Sequence, residues 1–359
     1  MNTDARRHAC DWRLVFVSAM LALVACLAAP ADAQNKPDPS AELKLSTALG
    51  PAYAQGKAGE VWSALIRERS AGRLAVRHFP GATLAGRDAA REFAALHDGA
   101  IDLAVGSALV WSTNVVELNL SSLPWLIVDE AALDALLAGE VGQRLATRLE
   151  AAGVVPLALL GNGFLALATR APVHKPADLT ALRLRVAASP IMVDAIAALG
   201  AASSSMPVAD ARVAFASGVL DGQEISVAAY AASRLDSAGL THLLLWEERA
   251  DILIFAVNRA RWSTWSDADQ ALVRQAAQDA AREASTMNRR AGDASAMAAL
   301  ARQGVVVTRL TPAGKSAFRA AALPVYQRWG AAVGDELVRA AEAGMSPVPT
   351  PPTPTSPRQ

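Results

Sequence analysis

Two hydrophobic periods alternate along most of this chain: short β-branched or leucine-rich runs, and longer Ala/Leu-rich stretches with polar residues spaced through them. The short runs predict strands at Leu43–Thr47, Leu74–Phe79, Ile101–Val105, Val155–Leu160, Phe164–Thr169, Leu182–Val186, Ile252–Val257 and Val305–Val307. The longer stretches predict helices over Tyr53–Glu68, Asp88–His97 and Glu130–Glu150, the last interrupted near Gly139. The longest helical pattern runs from Ser266 to Arg302. Ser266 is its N-cap, Asp267 and Asp269 sit in the first turn, where the helix dipole favours negative charge, and Gly304 is its stop. Strands alternating with helices mark an α/β fold. Pro172 and Pro176 punctuate the chain before its midpoint, and the strand patterns after them are expected to begin a second sheet, giving two domains rather than one.

The two ends depart from this pattern. Arg6, Arg7 and Arg13 precede an apolar run from Leu14 to Ala25, and small residues end at Ala31-Asp32-Ala33, the layout of a secretory signal too short to span a bilayer. Cleavage after Ala33 is the expectation; Leu23-Val24-Ala25-Cys26 also resembles a lipobox, and acylation at Cys26 is the alternative. On either path Cys10 is lost, so neither a disulfide framework nor a thiolate metal site is available. At the other end, residues 346–359 are rich in proline and hold nothing to bury, which predicts a disordered tail.

Composition narrows the function classes. With 359 residues, 52% hydrophobic and 19% charged, the chain can build two sizeable cores. Its formal net charge of zero, with no Lys/Arg-rich block, argues against nucleic acid or an anionic membrane surface as partner, because clustered positive charge supplies most of that affinity. No G-x-S-x-G elbow, H-E-x-x-H helix, Walker-type loop or G-x-G-x-x-G fingerprint is present, and His78, His97, His174 and His242 show no metal-ligand spacing. No cofactor or metal is implied.

A set of segments in fixed order gives the strongest pointer. These are SAGRLAVRHFPGATLAG, LHDGAIDLAVGSA, LSSLPWLI, VHKPADLTALRLRV, LGAASSSMPVADARVAFASGVLDGQE, NRARWSTWSDADQALVRQAA and LPVYQRWG. Together they resemble the substrate-binding proteins of TRAP transporters, the DctP family, whose members capture small organic acids in the periplasm and deliver them to a membrane permease. The resemblance implies a two-lobed periplasmic-binding-protein fold of type II-like character, each lobe a mixed sheet flanked by helices, with a long helix spanning both. Residues 42–161 plus about 249–285 would form lobe I, and 162–248 plus about 286–345 lobe II. It also implies a TRAP permease as partner, a periplasmic location, a monomer, and hinge closure around the ligand. An exported α/β enzyme acting on a small acid is the alternative, since a catalytic site can be assembled from residues distant in sequence.

By the same resemblance Arg185 is the leading ligand-binding candidate, because its planar fork of donors matches a carboxylate and stays charged when shielded from water. A solvent-facing strand arginine, on the same side as Arg183, is the competing reading. In Asp221-Gly222-Gln223-Glu224, Asp221 and Gly222 read as a turn, while Gln223 and Glu224 are expected to line or support the cleft. Met206 belongs to the same family segment. Two departures stand out: relatives commonly carry Gly-x-Arg where this chain has Gly163-Phe164-Leu165, and Asn-Pro where it has Ile225-Ser226. The expected pocket is therefore less positive and more apolar, suited to one carboxylate with a hydrophobic portion. Trp111, Phe164, Tyr230 and Trp246 are aromatic candidates for its walls, with core packing the alternative for each.

Overall fold

A computed structural model describes residues 42–345; the stretch expected to be a secretory signal, with both cleavage readings, and the Pro-rich tail lie outside the described residues. Ten strands occur among them: β1 Leu43–Thr47, β2 Val76–Pro80, β3 Leu103–Ser107, β4 Val154–Thr169, β5 Arg183–Val186, β6 Ala202–Ser205, β7 Gly222–Ser226, β8 His242–Leu245, β9 Ala250–Asn258 and β10 Val306–Arg309. They form one mixed sheet with the path β2-β1-β3-β9-β4-β7-β5-β6, to which β8 is joined through β4 and β10 through β8.

Strand β4 makes this a single sheet. From Val154 to Phe164 it pairs antiparallel with β9; from Leu165 to Thr169 it pairs antiparallel with β7, and over Leu167 to Thr169 with β8 on its other side. The register breaks between Gly161 and Phe164, where Gly163 takes φ +80, a left-handed backbone conformation that disfavours any Cβ. Val155–Leu160 and Phe164–Thr169, predicted as separate strands, are one strand bent at a bulge. The second sheet expected after Pro176 continues the first.

Around β1, β3 and β9 the core is set by two packed helices, Ala54–Arg69 and Asp267–Ala291. Trp62 meets Phe255 edge-on with ring centroids 5.4 Å apart and donates its indole N–H to the Val273 carbonyl at 3.2 Å. Ala276, Ala277, Ala280 and Ala284 line the buried side of the longer helix, and their small side chains allow close approach. Ser266 caps this helix by accepting from the Asp269 N–H at 3.2 Å. The helix predicted to reach Arg302 is two helices: the first ends at Ala291, and Asp293 caps the second, Ala294–Arg302, by accepting from the Ala296 N–H at 2.8 Å. The predicted break near Gly139 separates helices Glu130–Ala138 and Glu140–Ala151. Two further cores surround Trp111, Trp246 and Phe318, and Phe215, Tyr230 and Leu243. Among the described residues no helix is long and apolar enough to cross a membrane.

Candidate ligand-binding site

Strand β5 lies between β6 and β7 and runs parallel to both, with Arg185 in register with Ser204 on one side and Gln223 on the other. Because side chains alternate between faces, Ser204, Arg185 and Gln223 form a cross-strand row on one face, continued by Ala168 of β4 opposite Gln223. Arg185 is 9% exposed, which rules out the solvent-facing reading. Its Nε donates to the Met206 carbonyl at 3.0 Å, and among the described residues no carboxylate pairs with it. Burial lowers its pKa to about 10. A buried guanidinium without a counter-charge is costly, and an anion brought to it is correspondingly favoured. Gln223 is fully buried, and neither Oε1 nor Nε2 of its amide is hydrogen-bonded.

The preceding residues are scaffold. Arg183, at the exposed start of β5, places Nε 3.0 Å from Asp221 and donates a terminal N–H to the Gly218 carbonyl at 2.7 Å. The Arg183 hydrogen bond is the main cause holding the Asp221 carboxyl below its ordinary range. Gly222 is needed for close approach, since a Cβ there would stand 2.3 Å from the Ala168 carbonyl oxygen.

Glu224 follows Gln223 and so faces the opposite side of the sheet. With Glu248 and Arg249 it forms a fully buried triad, Arg249 Nε lying 3.3 Å from Glu224 and 3.2 Å from Glu248, while a second guanidinium N–H also meets Glu248. Burial pushes the Glu224 pKa up to about 8, against the pull of Arg249. One guanidinium faces two carboxylates, and a proton held on Glu224 brings the group to balance. Nearby, Asp251 at the start of β9 accepts from Ser107 Oγ, Asn162 Nδ2 and the Ile252 N–H, each at 2.8 Å, and Asn162 in turn accepts from Asn288 Nδ2 at 2.7 Å. This network ties the end of β3, the bulge of β4 and the long helix together. Sequence reasoning missed Glu248, Arg249 and Asp251; their only signal is three charges beside the apolar run Ile252–Val257.

The remaining candidates divide. Phe164 and Leu165 line a cavity of about 310 Å³ with Ala166, Val227 and Met297, whose rim carries Glu247 and Arg309, ion-paired at 2.6 Å. Met206 is half-buried beside Arg185. Ile225 is buried on the Arg185 face, among the core around Phe215. Trp111 packs over Gly106, where a Cβ would come within 2.0 Å of the indole, and meets Phe93 edge-on at 5.3 Å. The Tyr230 hydroxyl donates to the Leu240 carbonyl at 2.7 Å, and Trp246 sits between Trp125 and Phe318. All three are core residues. The structure thus gathers Arg185, Gln223 and Met206, sets Phe164 and Leu165 on a neighbouring cavity, and puts Glu224 in a separate charged cluster.

Comparison with known proteins agrees with this architecture. Residues 45–332 match the bacterial extracellular solute-binding protein family 7, DctP. A TRAP periplasmic solute binding protein from Ralstonia eutropha, solved with bound (S)-2-hydroxy-2-methyl-3-oxobutanoate, is 44% identical with a TM-score of 0.83, over 85% of this chain and 98% of its own. A solute-binding protein of Verminephrobacter eiseniae is 29% identical over 80% of this chain and 85% of its own length. An uncharacterized protein of Sinorhizobium fredii, y4mM, is 34% identical over 194 residues, and there the chain covers 36% of a longer protein. A two-lobed periplasmic-binding-protein fold and a family match over most of the chain make this protein a member of the DctP family, a TRAP-transporter solute-binding protein and not an enzyme.

Proposed function

We propose that this protein captures a small organic acid with one carboxylate and an apolar portion, and delivers it to the membrane subunits of a TRAP-type transporter. The observation that carries this reading is Arg185, a guanidinium 9% exposed whose one protein partner among the described residues is a carbonyl. A ligand carboxylate supplies the missing charge, with hydrogen bonds worth roughly 1.5–3 kcal/mol each. Leu165 on the cavity wall and Ile225 on the Arg185 face add no second cation, which favours one carboxylate over two. The compound bound to the Ralstonia protein is of this kind: one carboxylate, with a hydroxyl and a methyl group on the adjacent carbon.

The lobes are taken as 42–161 plus about 249–285, and 162–248 plus about 286–345, closing on the ligand by hinge motion. On this division the contact between Tyr53 and Ser233, 3.0 Å between hydroxyl oxygens, bridges the two lobes. Export through the N-terminal segment with cleavage after Ala33, and action as a monomer, complete the proposal. Thermal-shift and calorimetric titration with a panel of mono- and dicarboxylic acids tests it. Monocarboxylates are expected to bind without turnover, Arg185→Lys to weaken them strongly, and Leu165→Arg to shift preference towards doubly charged acids. Unchanged affinity in Arg185→Lys removes the arginine from the site.

A further inference from the structure

Gln223 carries an unmet demand at both ends of its amide. Oε1 needs a donor and Nε2 an acceptor, yet both atoms are buried and neither has a partner. Native proteins leave few buried polar atoms unpaired, and two on one side chain point to a group that arrives from outside. Its position says where that group is. Gln223 is in register with Arg185 on the adjacent parallel strand. Neighbouring strands lie about 4.8 Å apart, so a carboxylate seated on Arg185 holds its next carbon within reach of the Gln223 amide. Ser204 flanks Arg185 on the other side of the row and can take the far carboxylate oxygen.

We propose that Gln223 reads a hydroxyl on the carbon adjacent to the ligand carboxylate, so that the site prefers short 2-hydroxy acids to the matching 2-oxo and unsubstituted acids. The proposal rests on the assignment of Arg185 to the carboxylate. Among common substituents at that carbon, a hydroxyl answers both atoms at once: its O–H donates to Oε1 while its oxygen accepts from Nε2–H. An oxo group only accepts, and leaves Oε1 unpaired; a methylene leaves both unpaired. Sites that hydrogen-bond a substrate hydroxyl reject analogues lacking it far more strongly than apolar pockets reject a methylene, because the site's own polar groups are then stranded. Glu224, on the other face of β7, takes no part in this discrimination.

The test is calorimetric titration of the full chain with 2-hydroxy-3-methylbutanoate in both enantiomers, 2-oxo-3-methylbutanoate and 3-methylbutanoate. The wild-type protein should bind one enantiomer of the hydroxy acid about tenfold or more tighter than the oxo acid, with the unsubstituted acid weakest. Gln223→Leu should bring the three within about threefold of one another by losing hydroxy-acid affinity while keeping the unsubstituted acid. Equal affinities in the wild-type protein overturn the proposal without any variant and leave the Arg185 reading standing. A hydroxyl preference that survives in Gln223→Leu overturns it as well. Absence of binding by all three acids removes the Arg185 assignment and this inference together.

Discussion

Arg185→Met should make the ligand-free protein more stable while abolishing its response to ligand. Burial moves the Arg185 pKa down to about 10, a displacement worth about 3 kcal/mol against the charged form. The folded pKa lies below the unfolded one, so this penalty is relieved only as pH rises through about 10 and above, and at neutral pH it is fully in force. Methionine keeps most of the stem's volume and removes the charge. It also removes the Nε–H donated to the Met206 carbonyl at 3.0 Å, a loss of about 1 kcal/mol. The net gain is about 2 kcal/mol, or on the order of 4 °C in unfolding midpoint for a chain of this size. Ligand at a hundred times its dissociation constant should stabilise the wild-type protein by about 2.7 kcal/mol and leave the variant unmoved. Urea and thermal unfolding, each with and without ligand, read both effects. A ligand-free variant less stable than the wild-type protein refutes the premise that the cation is uncompensated, and a retained ligand shift refutes its role in binding.

Three other outcomes follow from the same contacts. Arg249→Met leaves Glu224 and Glu248 buried without their shared cation and should destabilise by about 3–5 kcal/mol, whereas Arg183→Ala, which breaks the half-exposed pair with Asp221, should change stability by less than about 1 kcal/mol; urea midpoints compare the two. The Glu224 carboxyl has a folded pKa of about 8 against an ordinary 4.5, so its contribution is full below about pH 4.5 and lost as pH rises to about 8; Glu224→Gln should flatten the decline in urea midpoint between pH 5 and 9, and an unchanged decline places the titration elsewhere. Gly106→Ala drives a methyl into the Trp111 indole and should cost about 1–3 kcal/mol with a changed near-ultraviolet circular dichroism signal, whereas an unchanged spectrum and midpoint would mean the indole moves aside freely.

Much of the fold was legible where the local pattern and the tertiary contacts agree. Strands β1, β5 and β9 carry apolar or β-branched residues at buried positions, and Gly139 does break the helical stretch it interrupts. Strand β6 was not legible, because Ala202-Ser203-Ser204-Ser205 has no apolar alternation and is held in place by its parallel neighbour β5. Strand β8 is likewise defined by partners β4 and β10, which are distant in sequence. The split of the long helix was readable in Gly292-Asp293, a stop followed by a cap, but the Ala-rich helical composition on both sides masks it. Arg185 was singled out through its family segment and is buried, whereas the Glu224, Glu248 and Arg249 triad joins residues that no local spacing connects.

Among the described residues three arginines are buried: Arg185, Arg249 and Arg261. Arg249 meets Glu224 and Glu248, and Arg261 meets Asp102 at 2.8 Å. Both are structural ion pairs whose charges are answered within the fold, so neither gains from an incoming anion. Arg185 meets a carbonyl. The period of two in β7 makes this contrast sharper, because it puts Gln223 beside the unanswered arginine and sends Glu224 through the sheet to the answered one. Were Glu224 on the Arg185 face, it would neutralise the guanidinium and the site would have no reason to hold an acid. One residue of register therefore separates the proposed anion site from an internal ion pair, and on that proposal a shift of β7 against β5 by one position should abolish binding even with every side chain retained.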